Sequence, residues 1–355
     1  MNSWVNARIS SLSKVSGYQK PERYTNVIRL DTNENLALPR EFVKKIIGEA
    51  SRRTDVREYP SEQYDELRAD LGKYLNVPRE CVAIGNGSDQ IIDLLLSTFA
   101  NDSATITLKP TFTFYKDRCN LRSIRMKELQ LDNNFSFDVK KLLSTSKNAR
   151  ICYICSPNNP TGNQFNRETM TELIRSFNGL VIVDEAYVEF ADFSLKDLVR
   201  KYGNLVVLRT MSKAFGLAGA RVGYMVSNKK IAELFVNTIQ YPYPLSSLSL
   251  QAASIALSRL NYVRRVLRYV RDERKHVLNE INSIDGLHAF KSDANFVLFA
   301  SGGRYQRLYK KLVRKGVVVR KIGDVGKHKG CLRVTIGTQI MNNRFLKALK
   351  VSVNE

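Results

Sequence analysis

Long apolar runs are missing from this chain of 355 residues. The longest ones, such as Phe296–Ala300, have the length of a β-strand and are too short to span a bilayer. The first residues are rich in Ser and Asn and include no apolar segment like that of a secretory signal. We therefore expect a soluble, cytoplasmic protein with no membrane partner.

Cysteine is also scarce, and the five Cys leave at least one thiol unpaired, which suits a reducing compartment. Cys152 and Cys155 have the C-x-x-C spacing of some metal and redox sites, but they lie in the strand-like run Ala149–Cys155. Residues three apart on a strand face opposite sides, and no second pair or nearby His completes a metal site. We expect neither metal binding nor redox chemistry there.

Acidic residues are few: 34 Asp and Glu against 56 Lys and Arg give a net charge of +22, which fits a nucleic-acid binder or an enzyme of anionic substrates. The densest basic stretch, Arg259–Lys275, has Leu260, Val263, Leu267 and Val270 at helical spacing. That pattern is typical of a helix with a solvated basic face. Because no nucleic-acid-binding motif is present, we expect no nucleic-acid partner.

The length exceeds that of a usual single core and predicts one large and one smaller domain. Apolar runs in the middle of the chain read as strands of a parallel sheet buried on both faces, namely Ala104–Lys109, Ile151–Cys155, Leu180–Asp184, Leu205–Thr210 and Arg221–Ser227. Asp138–Ser144 and Arg167–Phe177 have helical character. This alternation predicts a wound α/β domain, in which ligands gather at the carboxyl ends of the strands.

The pattern changes after about residue 245. A long helical stretch, Leu250–Ile281, leads to three short strands separated by helical segments: Asn295–Phe299, Gly316–Arg320 and Leu332–Ile336. We expect a smaller α+β domain here. The predicted division is an N-terminal arm that contributes to the small domain (1–40), a large α/β domain (41–245) and a small domain (246–355).

Polar segments interrupt this apolar pattern at predicted element ends. Gly85–Asp89 precedes the apolar helix Ile91–Phe99, where free backbone N–H groups favour an anion, although an ordinary helix cap would look the same. Ser156–Gly162 combines two Asn with two Pro at the end of a strand. Val183–Tyr187 ends an apolar strand on Asp184, a carboxylate that is costly to bury without a cationic partner.

Two further segments carry cations. Ser212–Tyr224 places Lys213 directly after a strand and Arg221 eight residues later, which supplies a nucleophilic amine and an anion clamp. Cys331–Gly337 holds Arg333 in an otherwise apolar strand, where an Arg usually binds a carboxylate or phosphate.

In this order and spacing, these segments resemble the fold-type-I pyridoxal-phosphate aminotransferases, and most closely the histidinol-phosphate aminotransferase family. The resemblance runs from about Tyr18 to the C-terminus. It implies a large, wound, mostly parallel sheet domain with a smaller α+β domain, and pyridoxal 5'-phosphate as the cofactor. Within the family, the function would be amino transfer from histidinol phosphate to 2-oxoglutarate in histidine biosynthesis.

The resemblance implies a role for each residue around the cofactor ring. Lys213 would form the Schiff base and later move the proton of the substrate as the catalytic base. Asp184 would pair with the pyridinium nitrogen, and Asn159 and Tyr187 would donate hydrogen bonds to the phenolate oxygen. Phe112 would stack on the ring, unless it is an ordinary core aromatic.

The resemblance also implies how the cofactor phosphate is held. Ser88, the backbone N–H of Asp89, Ser212 and Arg221 would bind it within one subunit. Tyr59 matches a tyrosine that reaches the phosphate of the neighbouring subunit, which implies a homodimer with shared active sites.

For the substrate, the resemblance assigns Arg333 to the α-carboxylate, and Arg320 with Tyr18 to the phosphate. Arg320 could instead pair with a surface acid such as Asp324. An aromatic amino-acid aminotransferase and a threonine-phosphate decarboxylase are the alternatives within the fold. A basic nucleic-acid-binding protein that has kept a transaminase fold is the alternative from another class. The presence of both Lys213 and Asp184 argues against it.

Overall fold

The computed structural model describes residues 3–15, 22, 24–100 and 103–354, which contain twelve α-helices and twelve β-strands. The helices are α1 (Ser3–Leu12), α2 (Arg40–Arg52), α3 (Ser61–Leu75), α4 (Gly87–Phe99), α5 (Thr113–Leu121), α6 (Val139–Thr145), α7 (Arg167–Ser176), α8 (Lys229–Leu234), α9 (Ser247–Ser258), α10 (Leu260–Asn282), α11 (Tyr305–Arg314) and α12 (Gln339–Asn354). The strands are β1 (Ile28–Leu30), β2 (Val82–Asn86), β3 (Ala104–Lys109), β4 (Met126–Gln130), β5 (Ala149–Cys155), β6 (Leu180–Asp184), β7 (Leu205–Thr210), β8 (Val222–Ser227), β9 (His288–Ala289), β10 (Phe296–Ala300), β11 (Val317–Val325) and β12 (His328–Thr335).

The larger sheet has seven strands in the order β2-β8-β7-β6-β5-β3-β4, and it includes the five strands expected in the middle of the chain. Four of those five are parallel, but the prediction was wrong for β8, which runs antiparallel to both β2 and β7. The reason lies in the connection: residues 211–221 between β7 and β8 form a short loop without a crossover helix, and a parallel return needs such a crossover.

Apolar side chains cover both faces of this sheet. On one face, Ile182 and Leu208 belong to a core that also contains Ile91 of α4. On the other face, Val181 and Val207 pack in the main core of the molecule. Cys152 and Cys155 fall in these two different cores, as expected for positions three apart on a strand, and all five cysteines are free and buried.

The smaller sheet has five strands in the order β1-β11-β12-β10-β9. Strand β1, from the predicted N-terminal arm, pairs in parallel with β11. A tight turn at Gly326 joins β11 to β12 directly, so the prediction of a helical segment between these two strands was wrong. The stretch Leu250–Ile281 forms two helices, α9 and α10, rather than one.

Helices α10, α11 and α12 pack together at the smaller sheet, whereas α9 packs on α2 and α3. The predicted boundaries at residues 40 and 245 stay predictions. In the described part of the chain, no helix has the length and apolar character needed to cross a membrane, and no cluster of His, Cys, Asp and Glu has the arrangement of a metal site.

Candidate active site

The polar segments identified in the sequence meet at the carboxyl edge of β5, β6 and β7, where two adjoining cavities lie, the first of about 350 Å³ and the second of about 330 Å³. The first cavity contains Asp184 and the loop residues around Arg221. The second cavity contains Arg320 and Arg333. Five residues line both cavities: Thr32, Phe112, Asn159, Tyr187 and Lys213.

Lys213 follows β7 and stands between the two cavities. Its Nζ donates a hydrogen bond to the backbone oxygen of Thr32 at 3.0 Å. Burial lowers the pKa of this amine to about 8, against an opposing attraction from Glu34. A substantial fraction of the amine is therefore neutral and nucleophilic near physiological pH, which is the state that covalent chemistry on a carbonyl needs.

Asp184 ends β6 inside the first cavity and is almost completely buried. Its Oδ1 accepts a hydrogen bond from the backbone N–H of Ala186 at 3.0 Å, and its Oδ2 accepts one from the hydroxyl of Tyr153 at 2.7 Å. Burial raises the pKa of Asp184 to about 6, whereas these two hydrogen bonds act to lower it. A buried carboxylate that faces a cavity is suited to a cationic partner placed there.

Tyr187 presents its hydroxyl to the same cavities, where it accepts a hydrogen bond from Nδ2 of Asn33 at 3.1 Å. Burial raises the pKa of Tyr187, so the hydroxyl keeps its proton and is available as a donor. Asn33 adopts a left-handed backbone conformation (φ 57°) and is held through its N–H to Oγ1 of Thr335 at 3.0 Å. The N-terminal arm therefore supplies part of the site.

The start of α4 forms a cradle for an anion. Helix α4 begins at Gly87, so the backbone N–H groups of Ser88 and Asp89 lie in its first turn and are open to a ligand. The guanidinium of Arg221 lies beside this turn and donates to Oδ2 of Asp89 at 3.0 Å. Space here is tight, because a Cβ at Gly223 would stand 2.1 Å from the backbone nitrogen of Ser88.

Arg333 and Arg320 lie directly opposite each other on β12 and β11 and both line the second cavity. Arg333 is buried; it donates to the backbone oxygen of Asp31 at 2.7 Å and to Oδ1 of Asn159. The side chain of Arg320 makes no hydrogen bond or ion pair with the described part of the chain, and Asp324 instead pairs with Lys329 at 2.8 Å. Like charges in opposite positions are destabilising unless an anion lies between them.

The comparisons with known proteins agree with this arrangement. Residues 25–349 match the model of the aminotransferase class I and II family. The chain belongs to this family. A histidinol-phosphate aminotransferase of Ruminiclostridium cellulolyticum is 35% identical over 352 residues, which are 97% of this chain and 97% of the relative. A histidinol-phosphate aminotransferase of Pyrococcus furiosus is 36% identical over 92% of this chain and 93% of its own.

The solved structure of the histidinol-phosphate aminotransferase from Clostridium acetobutylicum also agrees, with a TM-score of 0.84 and 26% sequence identity. The match covers 93% of this chain and 100% of the chain of that structure. These likenesses confirm the expected aminotransferase fold and place this aminotransferase with the histidinol-phosphate aminotransferases.

The structure brings most of the expected site residues of this aminotransferase together. Those at the first cavity are Ser88, Asp89, Phe112, Asn159, Asp184, Tyr187, Ser212, Lys213 and Arg221. Arg320 and Arg333 line the second cavity with Asn159. Tyr59 lines neither cavity; its side chain is 76% exposed and stacks on Tyr243. Tyr18 lies outside the described residues.

Three of the residues that were not expected contact expected site residues. Thr32 and Asn33 come from the N-terminal arm, and the only signal for them in the sequence is the polar run that ends at Asn35. Tyr153 lies within an apolar strand and has the pattern of an ordinary core aromatic. Only the fold shows that its hydroxyl meets Asp184.

Proposed function

We propose that this aminotransferase uses pyridoxal 5'-phosphate to transfer the amino group of histidinol phosphate to 2-oxoglutarate, as a cytoplasmic homodimer in histidine biosynthesis. The observation that carries the choice of substrate is the pair Arg320 and Arg333, opposite each other at a cavity that also contains Lys213. A phosphate dianion matches two guanidinium groups better than a single carboxylate does.

The residues at the first cavity fit the cofactor. Lys213 supplies the amine that would hold the aldehyde carbon, and the start of α4 with Ser212 and Arg221 supplies an anion cradle for the phosphate. Phe112 lies where it would cover one face of the ring. When bound, pyridoxal phosphate supplies an electron sink for the carbon that loses its proton.

The side chains of the protein would do the remaining work. Asp184 would accept the hydrogen bond of the ring nitrogen and keep that nitrogen protonated through its negative charge. Tyr187 would donate a hydrogen bond from its hydroxyl to the ring oxygen, with Asn33 fixing its orientation. The amine of Lys213, with its lowered pKa, would take the proton from the amino-bearing carbon of the substrate and deliver it to the aldehyde-derived carbon of the cofactor, on the other side of the nitrogen.

The second cavity would receive both substrates in turn. Histidinol phosphate has no α-carboxylate, so its phosphate would occupy the space between Arg320 and Arg333. In the other half-reaction, 2-oxoglutarate would place its α-carboxylate on Arg333, which Asp31 and Asn159 hold in position. A phosphate in one half-reaction and a carboxylate in the other would each give the two Arg of this cavity an anion to bind.

The test has two parts. Borohydride reduction of the purified protein followed by peptide mass spectrometry should find the pyridoxyl adduct on Lys213, and an adduct on another lysine would contradict the cofactor assignment. Single half-reactions with histidinol phosphate, phenylalanine, tyrosine and aspartate should show histidinol phosphate as the best donor by kcat/KM. Faster reaction with phenylalanine or tyrosine would show an aromatic aminotransferase instead, and release of carbon dioxide from threonine phosphate would show a decarboxylase.

A further inference from the structure

Tyr153 is a fully buried residue of β5 that lines neither cavity, yet its hydroxyl donates a hydrogen bond to Oδ2 of Asp184 at 2.7 Å. The remaining oxygen of Asp184, Oδ1, is bound by the backbone N–H of Ala186. One donor on each oxygen fixes the plane of the carboxylate and leaves it further lone pairs for a ligand in the first cavity.

The packing of Tyr153 gives its hydroxyl little freedom to turn away. Its ring stacks on the ring of Tyr115 with centroids 4.3 Å apart and an angle of 12° between the planes. Its strand is paired with β6 at Ile182, two residues before Asp184. Burial, and then the charge of Asp184, raises the pKa of Tyr153 far above its usual range, so this hydroxyl remains a donor at every pH used for an enzyme assay.

The charged surroundings of Asp184 make this donor important. Asp89 of α4 and Glu185, the residue that follows β6, act on it with like charges and, after burial, raise its pKa. The thiol of Cys155 on β5 and the hydroxyl of Tyr187 also lie near Asp184, and both remain neutral because burial raises their pKa values. Lys213 and Arg221 are the basic side chains that line the same cavity. Glu185 is already paired with Arg209 at 3.0 Å. Within the described chain, Tyr153 and the N–H of Ala186 are the donors that oppose protonation of Asp184.

We propose that Tyr153 is a positioning residue that keeps the carboxylate of Asp184 charged and aimed into the first cavity, where it would meet the ring nitrogen of the cofactor; this inference rests on the proposed function. Without the hydroxyl, the pKa of Asp184 rises further above about 6. A larger fraction of Asp184 is then protonated near neutral pH and does not attract a cationic ring. The loss of cofactor affinity relative to wild type shrinks as the pH rises above the pKa that Asp184 has without the hydroxyl. Asp184 is then ionised in the wild type and in the variant alike.

The experiment compares Tyr153→Phe with Tyr115→Phe in the full-length chain. Tyr115 is the matched control, since it is equally buried and stacked in the same pair but its hydroxyl makes no contact with Asp184. The dissociation constant of pyridoxal phosphate is measured by fluorescence on cofactor-free protein between about pH 6 and pH 9. For Tyr153→Phe, loss of a hydrogen bond to a charged group should raise this constant roughly tenfold or more at the acid end. The ratio of this dissociation constant to that of the wild type should fall as the pH rises. For Tyr115→Phe, the dissociation constant should stay close to the wild-type value at every pH.

A pH-independent ratio, or equal losses in the two variants, would overturn the proposal. In the Asp184→Asn background, adding Tyr153→Phe should have little further effect; a full additional loss would show that Tyr153 acts on something else. A wild-type protein that binds no pyridoxal phosphate at any pH would instead refute the proposed function.

A measurement on the wild-type fold avoids dependence on the stability of the variant. With isotope-labelled tyrosine, the ring-carbon resonance of Tyr153 should titrate with Asp184 near pH 6 in cofactor-free protein and stay flat in Asp184→Asn. A resonance that is flat in the wild type as well would contradict the proposal.

Discussion

Replacing Arg320 by Met tests the proposed choice of substrate most directly. Arg320 lines the second cavity opposite Arg333, and its side chain makes no hydrogen bond or ion pair within the described chain. Methionine preserves most of the length and apolar stem of the side chain while removing the charge. Because two like charges face each other across β11 and β12, we expect the substitution to leave the free energy of unfolding unchanged or slightly higher.

The expected loss can be estimated from the bonds removed. A bidentate guanidinium–phosphate contact carries charge-assisted hydrogen bonds, and losing one side of such a pair costs about 2–4 kcal/mol. That corresponds to a fall of about 30- to 900-fold in kcat/KM for histidinol phosphate. Phenylalanine, which would place its carboxylate on Arg333 and carries no phosphate, should lose less than about fivefold, as expected for a charge without direct contact.

The assay measures single half-reactions with both donors on the wild type, Arg320→Met and Lys327→Met. Lys327 is the matched control, because it lies at the turn of the same β11–β12 hairpin and lines neither cavity. Its removal changes the net charge of the hairpin equally and should leave both donors unaffected. Equal losses for histidinol phosphate and phenylalanine in Arg320→Met would show that Arg320 supports the fold, and would refute the phosphate site.

Three further predictions test other parts of the site. Asp184→Asn should cost about 3–5 kcal/mol in kcat/KM, the scale of losing a buried charge partner, against about 0.5–1.5 kcal/mol for Tyr187→Phe, which loses one neutral hydrogen bond; similar losses would contradict the two roles. Tyr59→Phe should weaken retention of pyridoxal phosphate on dialysis, and a fully active monomer in sedimentation experiments would exclude a shared site. Gly223→Ala should lower the free energy of unfolding by about 1–3 kcal/mol and weaken cofactor binding, because its Cβ would collide with the backbone at the start of α4. Gly219→Ala, where a Cβ meets nothing within 4 Å, should change neither, and equal effects would refute the cradle.

The strands of the larger sheet were predictable where their sequences are apolar throughout. Leu180–Asp184 and Leu205–Thr210 have the bounds expected, since strands buried on both faces must be apolar at nearly every position. Strand β4, Met126–Gln130, was missed because it lies at the sheet edge and three of its five residues are polar. The direction of β8 is not encoded in its own residues, since a doubly buried strand is equally apolar in either orientation.

The site was predictable where a motif places a charged group at a strand end, as for Asp184 and Lys213. It was not predictable where a residue acts through a contact that spans distant segments. Asn33 has a role because the fold brings it to Tyr187, 154 positions away. Tyr153 differs from any buried aromatic only in the direction of its hydroxyl, which a sequence does not specify.

The pairing of β1 with β11 has a consequence for how this aminotransferase is synthesised. Asn33 and Thr335 are 302 positions apart, so the arm leaves the ribosome long before its partners in the smaller sheet exist. A chain that ends at residue 327, directly before β12, contains every strand of the larger sheet, but its smaller sheet lacks β12 and its second cavity lacks Arg333. If Arg333 holds the substrate as proposed, a stop codon placed directly before β12 should abolish activity as completely as an early one.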